Sequence, residues 1–153
     1  MRAPDHARLK PWRFHVVEGE ALVSLGQVFE DAASESGAVA EDKLTKCRNM
    51  PLRAPLMIVA VCEPITTPKV PALDQVLAVG AAVQNMQLAI SSLGYGSIWR
   101  TGEMATSEVV KKAFNVSSEG EIVGFLYVGT PEKPMTPPET PFEQYVTKWE
   151  YNR

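Results

Sequence analysis

The run LMIVAVC at positions 56–62 constrains this chain more than any other segment. It is continuous, apolar, rich in β-branched residues and of strand length. No polar residue alternates through it, so neither face can meet water, and it has to be a central strand covered on both sides. Pro51 and Pro55 break the chain before it, and PITTPKVP (64–71) is a loop that no helix or central strand accommodates. The cover must come from the rest of the 153 residues, a length that fits a single domain over 1–153.

The flanking segments supply candidates. RFHVVE (13–18) alternates, with Phe14 and Val16 on one face and Arg13, His15 and Val17 on the other, which is a strand pattern. EALVSLGQVFEDAASES (20–36) carries Leu22, Leu25, Val28, Phe29, Ala32 and Ala33 at helical spacing. A second, more polar helix covers 41–49, and Arg48 on it reads as an exposed cation. The longest periodic segment is 72–93, with Val76, Val79, Ala82, Val83, Met86, Ile90 and Leu93 on one stripe. Ala78, Gly80, Ala81 and Ala89 keep this helix slim, so a neighbour can approach on a second side, as at a subunit interface. GYGSIWRTG (94–102) contains a short strand over 95–99. SEVVKKAF (107–114) is a short helix with Ser107 at the N-cap and Glu108 in the first turn. EIVGFLYVG (121–129) is another apolar strand. TPEKPMTPPETP (130–141) runs extended over a surface. The tail FEQYVTKWEYNR carries Phe142, Tyr145, Val146, Trp149 and Tyr151, too many apolar groups to stay in solvent, so it has to dock. The order of elements makes the fold class α+β.

Several function classes fall away. The formal charge is -3 and the basic residues are scattered, so nothing tracks a nucleic-acid backbone. No segment is apolar for long enough to span a bilayer, and MRAPDHARLKPW lacks the apolar stretch of a signal peptide, which points to the cytoplasm. Cys47 and Cys62 form no metal-ligand spacing with His6 and His15, and Cys62 reads as core. GxSxG, GxGxxG opening a helix and GxxxxGK[ST] are absent. His6, in PDH, reads on residue type alone as a solvated loop histidine. Trp99, Arg100 and Thr101 are left, with two readings. In one they are a core aromatic, a surface charge and a turn residue. In the other, a planar aromatic and a guanidinium beside glycine-permitted backbone form a site for a flat, polar, anionic ligand.

The blocks RAPDH (2–6), PWRFHVVEG (11–19), RAPLMIVAV (53–61), KVP with AVGAAVQNMQLAI after it, LGYGSIWRTG (93–102) and IVGFLYVGTP (122–131) stand in an order that resembles the nitroreductase family, in its compact bacterial YdjA-like branch of FMN-dependent oxidoreductases. They span nearly the whole chain. The resemblance implies a nitroreductase-like fold, a mainly antiparallel sheet flanked by helices, in an intertwined homodimer with two FMN molecules at the interface. The C-terminal tail would wrap onto the partner, and the helix over 72–93 would be the central dimer helix. By match, Arg2 and His6 contact the flavin bound mainly by the other subunit, and Trp99, Arg100 and Thr101 contact the flavin too. Ala89, Ile90, Ser91, Ser92, Leu93 and Gly94 correspond to a segment associated with NAD(P) binding.

The chemistry implied is reduction of nitroaromatic, quinone or similar planar acceptors by NAD(P)H. The flavin carries it, so no acid–base pair is required, and Arg100 is the candidate to stabilise negative charge on the reduced ring. Two departures from the family pattern matter. The Arg-Arg-Ser motif of the family's first helix, whose cations hold the FMN phosphate, is absent, and the chain starts about thirty residues late, at the RAPDH loop. Where the broader family has Asn and Gln before PW, this chain has Arg8 and Lys10, which become candidates for phosphate or ring-oxygen contacts. The expectation is weakened FMN affinity. The alternative is an N-terminally truncated member that folds as a dimer, binds FMN weakly or not at all, and is not catalytic.

Overall fold

Strands β1 (Trp12–Glu18), β2 (Leu56–Cys62), β3 (Gly96–Arg100) and β4 (Glu121–Gly129) form one antiparallel sheet in the order β1-β2-β4-β3. The helices are α1 (Glu20–Ser34), α2 (Glu41–Arg48), α3 (Ala72–Ser92), α4 (Glu103–Thr106) and α5 (Glu108–Ala113). These coordinates are a computed structural model, which describes residues 3–35, 37–67, 69–133 and 139–151.

The apolar run is central, as its composition demands. β2 pairs with β1 on one side and β4 on the other. Met57, Val59 and Val61 join the core beneath α1 together with Phe29, Val110 and Phe125. Ala60 and Cys62 join the core beneath α3 together with Val79, Val83 and Leu126, and Ile58 packs against them. Phe29 and Phe125 meet edge to face, with ring centroids 5.3 Å apart. The loop after β2 is pinned to α3 by buried Gln75, whose amide donates to the Ile65 carbonyl and accepts from the Ile65 N–H, both at 2.9 Å.

Three details differ from the sequence expectation. β3 lies one residue later at each end, because its hydrogen-bonded register with β4 begins at Gly96 and ends at Arg100. The four-residue α4 was not anticipated; a segment that short shows no periodicity. Arg48 is not a free surface cation. Its guanidinium forms a two-pronged ion pair with Glu30, a carboxylate that α1 buries.

The outer surface is unusually apolar in two places. α3 exposes Leu73, Leu77 and Leu88 on its side away from the sheet. In the described part of the tail, Phe142, Tyr145, Trp149 and Tyr151 are all exposed, Trp149 to 80%. The tail therefore does not dock on its own chain. Among the described residues, no helix is long and apolar enough to cross a membrane, and no cluster of His, Cys, Asp and Glu could hold a metal ion.

Two predictions come from the contact of α1 with α2. A Cβ at Gly26 would lie 2.3 Å from the Arg48 carbonyl oxygen, a backbone atom that cannot swing aside. Gly26→Ala should therefore destabilise the fold by about 1–3 kcal/mol in urea denaturation, the usual cost of overpacking. The hydrogen bond from Arg48 holds the Glu30 carboxyl below the ordinary carboxylate range, against the opposing effect of burial. A depressed carboxyl stabilises the fold above its unfolded pKa, and that contribution is lost as pH falls through the folded value. Arg48→Ala should lower the melting temperature at pH 7, and the gap from wild type should close as the pH drops below about 4.3. A gap that stays constant down to acid pH would show that the pair contributes nothing.

Candidate functional site

β3 is an edge strand, and the period of two decides where its side chains go. Trp99 pairs with Leu126 and shares the α3 face of the sheet. Its indole lies against Gly124 of β4, where a Cβ would come within 2.2 Å of the ring nitrogen, and its rim reaches Gly80 of α3. The indole N–H donates to the Val123 carbonyl at 3.3 Å. Val123 is the residue skipped where the β2–β4 register shifts, so the bulge provides the acceptor.

Arg100 pairs with Phe125 on the opposite face. With Arg53, Ile98, Tyr127 and Pro131 it lines a cleft of about 390 Å³. Burial pushes the Tyr127 phenol up from its ordinary pKa, and the charges of Arg53 and Arg100 pull the other way. Thr101, just past the strand, lines a separate cleft of about 360 Å³ with Lys46, Cys47 and Met104. Neighbouring Gly102 has φ 101°, a left-handed geometry that suits glycine, and there is open space where a Cβ would stand. The three adjacent residues thus point to three different places. What they share is the backbone at the exit of β3.

His6 is at the other edge, in the 3₁₀ turn His6–Arg8 that leads into β1. Its Nδ1 is 3.1 Å from an Asp74 carboxylate oxygen in the first turn of α3. Ala7, Arg8 and Lys10 all have φ between 54° and 62°, a left-handed conformation that costs residues with a Cβ and tends to occur at functional sites. The loop is held by its own bonds: the Lys10 N–H donates to the Asp5 carboxylate at 2.8 Å, and Arg13 donates to the Lys10 carbonyl at 3.2 Å. The Arg8 and Lys10 side chains have no ion pair among the described residues. Arg2 lies outside the described residues.

Residues 89–94 form the C-terminal turn of α3 and its exit. The N–H groups of Leu93, Gly94 and Tyr95 are spent on the carbonyls of Ala89, Ile90 and Ser91. This end of a helix presents carbonyls and the negative pole of the dipole, so its backbone gives a pyrophosphate no donor. Ser91 and Gly94 do line a cleft with Gln84, Gln87 and Tyr95.

The structure therefore does not gather the candidates into one pocket of one chain. His6 and residues 99–101 occupy opposite edges of a four-stranded sheet, three strand spacings or about 14 Å apart. Asp74, Arg53 and Tyr127 were not legible as site residues, because nothing in their spacing ties them to positions 6 and 100.

An antiparallel sheet covered by α1 on one face and a slim α3 on the other, with its polar candidates at the two edge strands, is an architecture shared with nitroreductase-like proteins of known structure. The chain belongs to the nitroreductase family: the model of the "Nitroreductase family" matches residues 1–130. It is 44% identical over 151 residues to "Putative NAD(P)H nitroreductase YdjA" of Escherichia coli K12, covering 95% of this chain and 81% of that one. Among solved structures it is similar to the nitroreductase-like family protein from Bacillus cereus, with TM-score 0.79, 22% identity and coverage of 97% and 78% of the two chains. It is also similar to a variant of the FMN and NADPH-dependent nitroreductase NfnB from sphigopyxis sp. strain HMH, with TM-score 0.70, 16% identity and coverage of 97% and 83%.

The seat of Trp99 is testable. Gly124→Ala places a methyl group into the indole and 2.8 Å from the Arg100 carbonyl. It should cost about 1–3 kcal/mol and change the near-ultraviolet circular dichroism, whereas an unaltered spectrum and stability would place the indole elsewhere.

Proposed function

We propose that this chain is an FMN-dependent NAD(P)H oxidoreductase acting on nitroaromatic, quinone or similar planar acceptors, and that it works as a homodimer. The observation that carries the proposal is the 44% identity to the Escherichia coli "Putative NAD(P)H nitroreductase YdjA" over 95% of this chain. The structural relative NfnB, described as FMN- and NADPH-dependent, supports the choice of cofactor.

The residues present fit a flavin if two copies share it. One edge offers His6, oriented by Asp74, and the unpaired cations Arg8 and Lys10 in a loop held in left-handed geometry. The other offers the exit of β3, where Gly102 leaves open space beside the backbone of Arg100 and Thr101, and Trp99 supplies an apolar flank. A second copy that covers the leucines of α3 with its own α3, and receives the tail aromatics, would bring one edge of each chain to the other.

Bound there, FMN supplies two-electron chemistry between a nicotinamide and a planar acceptor. The protein's share is binding and orientation. Arg8 and Lys10 would hold the phosphate, the backbone at the glycine-flanked strand exit would meet the ring, and Trp99 would exclude water from one side. With Nδ1 held 3.1 Å from an Asp74 carboxylate oxygen, His6 would turn Nε2 to a ligand. Ser91 and Gly94, which line a cleft with Gln84 and Gln87, would meet the nicotinamide donor with neutral groups.

The visible spectrum with and without added FMN, followed by titration of flavin fluorescence, tests this. Quenching on addition of FMN and reduction by NAD(P)H are expected. His6→Ala should weaken FMN binding by about tenfold, the effect of one lost hydrogen bond. No quenching at micromolar protein would sink the cofactor assignment. Light scattering should give a dimer, weakened by deletion of the residues after Pro141, and a stable full-length monomer would remove the shared site.

A further inference from the structure

The loop that leads into β1 turns charged side chains onto its own backbone. Both backbone groups of Lys10 are taken: its N–H donates to the Asp5 carboxylate at 2.8 Å, and its carbonyl accepts from the Arg13 guanidinium at 3.2 Å. The same guanidinium donates to the Trp12 carbonyl at 2.7 Å. The Arg8 N–H donates to the Asp5 carbonyl at 3.2 Å, so Asp5 closes the loop with its backbone as well as its side chain. The two ends are anchored independently. His6 reaches Asp74 of α3, and Pro11 is fully buried, its carbonyl accepting from the Glu63 N–H at 2.7 Å.

Between these anchors Ala7, Arg8 and Lys10 stand at φ 62°, 57° and 54°. Each has a Cβ, and none is the Asn or Asp that reaches this region most readily after glycine. A connection that had only to enter β1 would relax out of that geometry or use glycine. What the geometry achieves is placement. Arg8 and Lys10 are exposed, have no ion pair among the described residues, and line a cleft of about 380 Å³ with Asp5 and Trp12. A carboxylate beside two cations that receive an anion repels that anion. Asp5 nevertheless lines this cleft, and its carboxylate accepts from a backbone N–H and forms no ion pair with either cation. We propose that Asp5 is a positioning residue, whose carboxylate latches the loop at the Lys10 N–H and so holds Arg8 and Lys10 in place for the flavin phosphate, a role that rests on the cofactor reading above. A loop already in its binding shape avoids the entropy loss of being ordered by the ligand.

Asp5→Ala and Asp5→Asn separate the latch from the charge. Both remove the repulsion, and only asparagine keeps a side-chain oxygen that can accept from the Lys10 N–H. Titration of flavin fluorescence with the full chain should show FMN binding weakened about tenfold by Asp5→Ala, the loss of one hydrogen bond to a charged group. Asp5→Asn should bind FMN at least as tightly as wild type. If Asp5 is only a surface charge, the two variants bind alike and no more weakly than wild type, and the assignment falls. Amide exchange of Lys10, followed by NMR without FMN, gives a readout independent of the cofactor. It should be about tenfold faster or more in Asp5→Ala than in Asp5→Asn, and equal rates in the two variants would overturn the latch. Failure of wild type to bind FMN would sink the cofactor reading instead, and the exchange rates would still decide whether Asp5 holds the loop.

Discussion

β2 has no polar face to offer. Its alternate residues feed two cores, Met57, Val59 and Val61 on one side and Ala60 and Cys62 on the other, and neither set can be exposed without a cost of roughly 1.5–3 kcal/mol per large apolar side chain. The rest of the architecture follows from covering both. α1 and α5 close one side, and α3 closes the other with alanine, valine and glycine on its inner stripe. Burial in the middle of the sheet also pushes the Cys62 thiol up to about 11, so this cysteine stays a protonated core group. The functional groups are left to the periphery, at the two edge strands and the loops that end them.

This division explains what the sequence could disclose. Elements long enough to show a period were readable: the alternation of 13–18, the helical stripes of 20–36 and 72–93, and the unbroken apolar strands. Where a reading depended on which way a side chain turns, one residue of phase decided the outcome. Trp99 and Arg100 look like a pair on paper, and the pleat sends them to opposite faces of the sheet. Arg48 looks like a solvated cation on a polar helix, but α2 ends against Gly26 and the nearest group is Glu30, eighteen positions away. The cleft of Arg53, Arg100 and Tyr127 is assembled from three segments that only the β2–β4–β3 pairing brings together, so no local motif announces it.

The placement of His6 has a similar lesson. Sequence similarity put it in a flavin site, and residue type alone made it a solvated loop histidine. In the structure it is exposed, yet tied to Asp74 across 68 positions, at the edge of the sheet farthest from Trp99. A group at one edge can serve a site at the other only if a second molecule turns the sheet around. The exposed leucines of α3 and the undocked aromatics of the tail are surfaces of the kind such an arrangement would consume.

The strand order has a consequence for biosynthesis. β2 has β4 as its inner neighbour, and that pairing joins Leu56 to Val128 and Cys62 to Glu121, partners from opposite halves of the chain. At a translation rate of about 5–20 residues per second, the LMIVAVC segment waits on the order of seconds before β4 exists. During that time it has α1 and β1 to shelter one face and one edge, and the other edge is open to any strand that arrives. Contacts so distant in sequence also slow the final closure. The segment that gives the finished protein its core is therefore the one most exposed to misassembly while the chain is being made, a hazard that a nascent-chain chaperone or rapid pairing of β1 with β2 would have to contain.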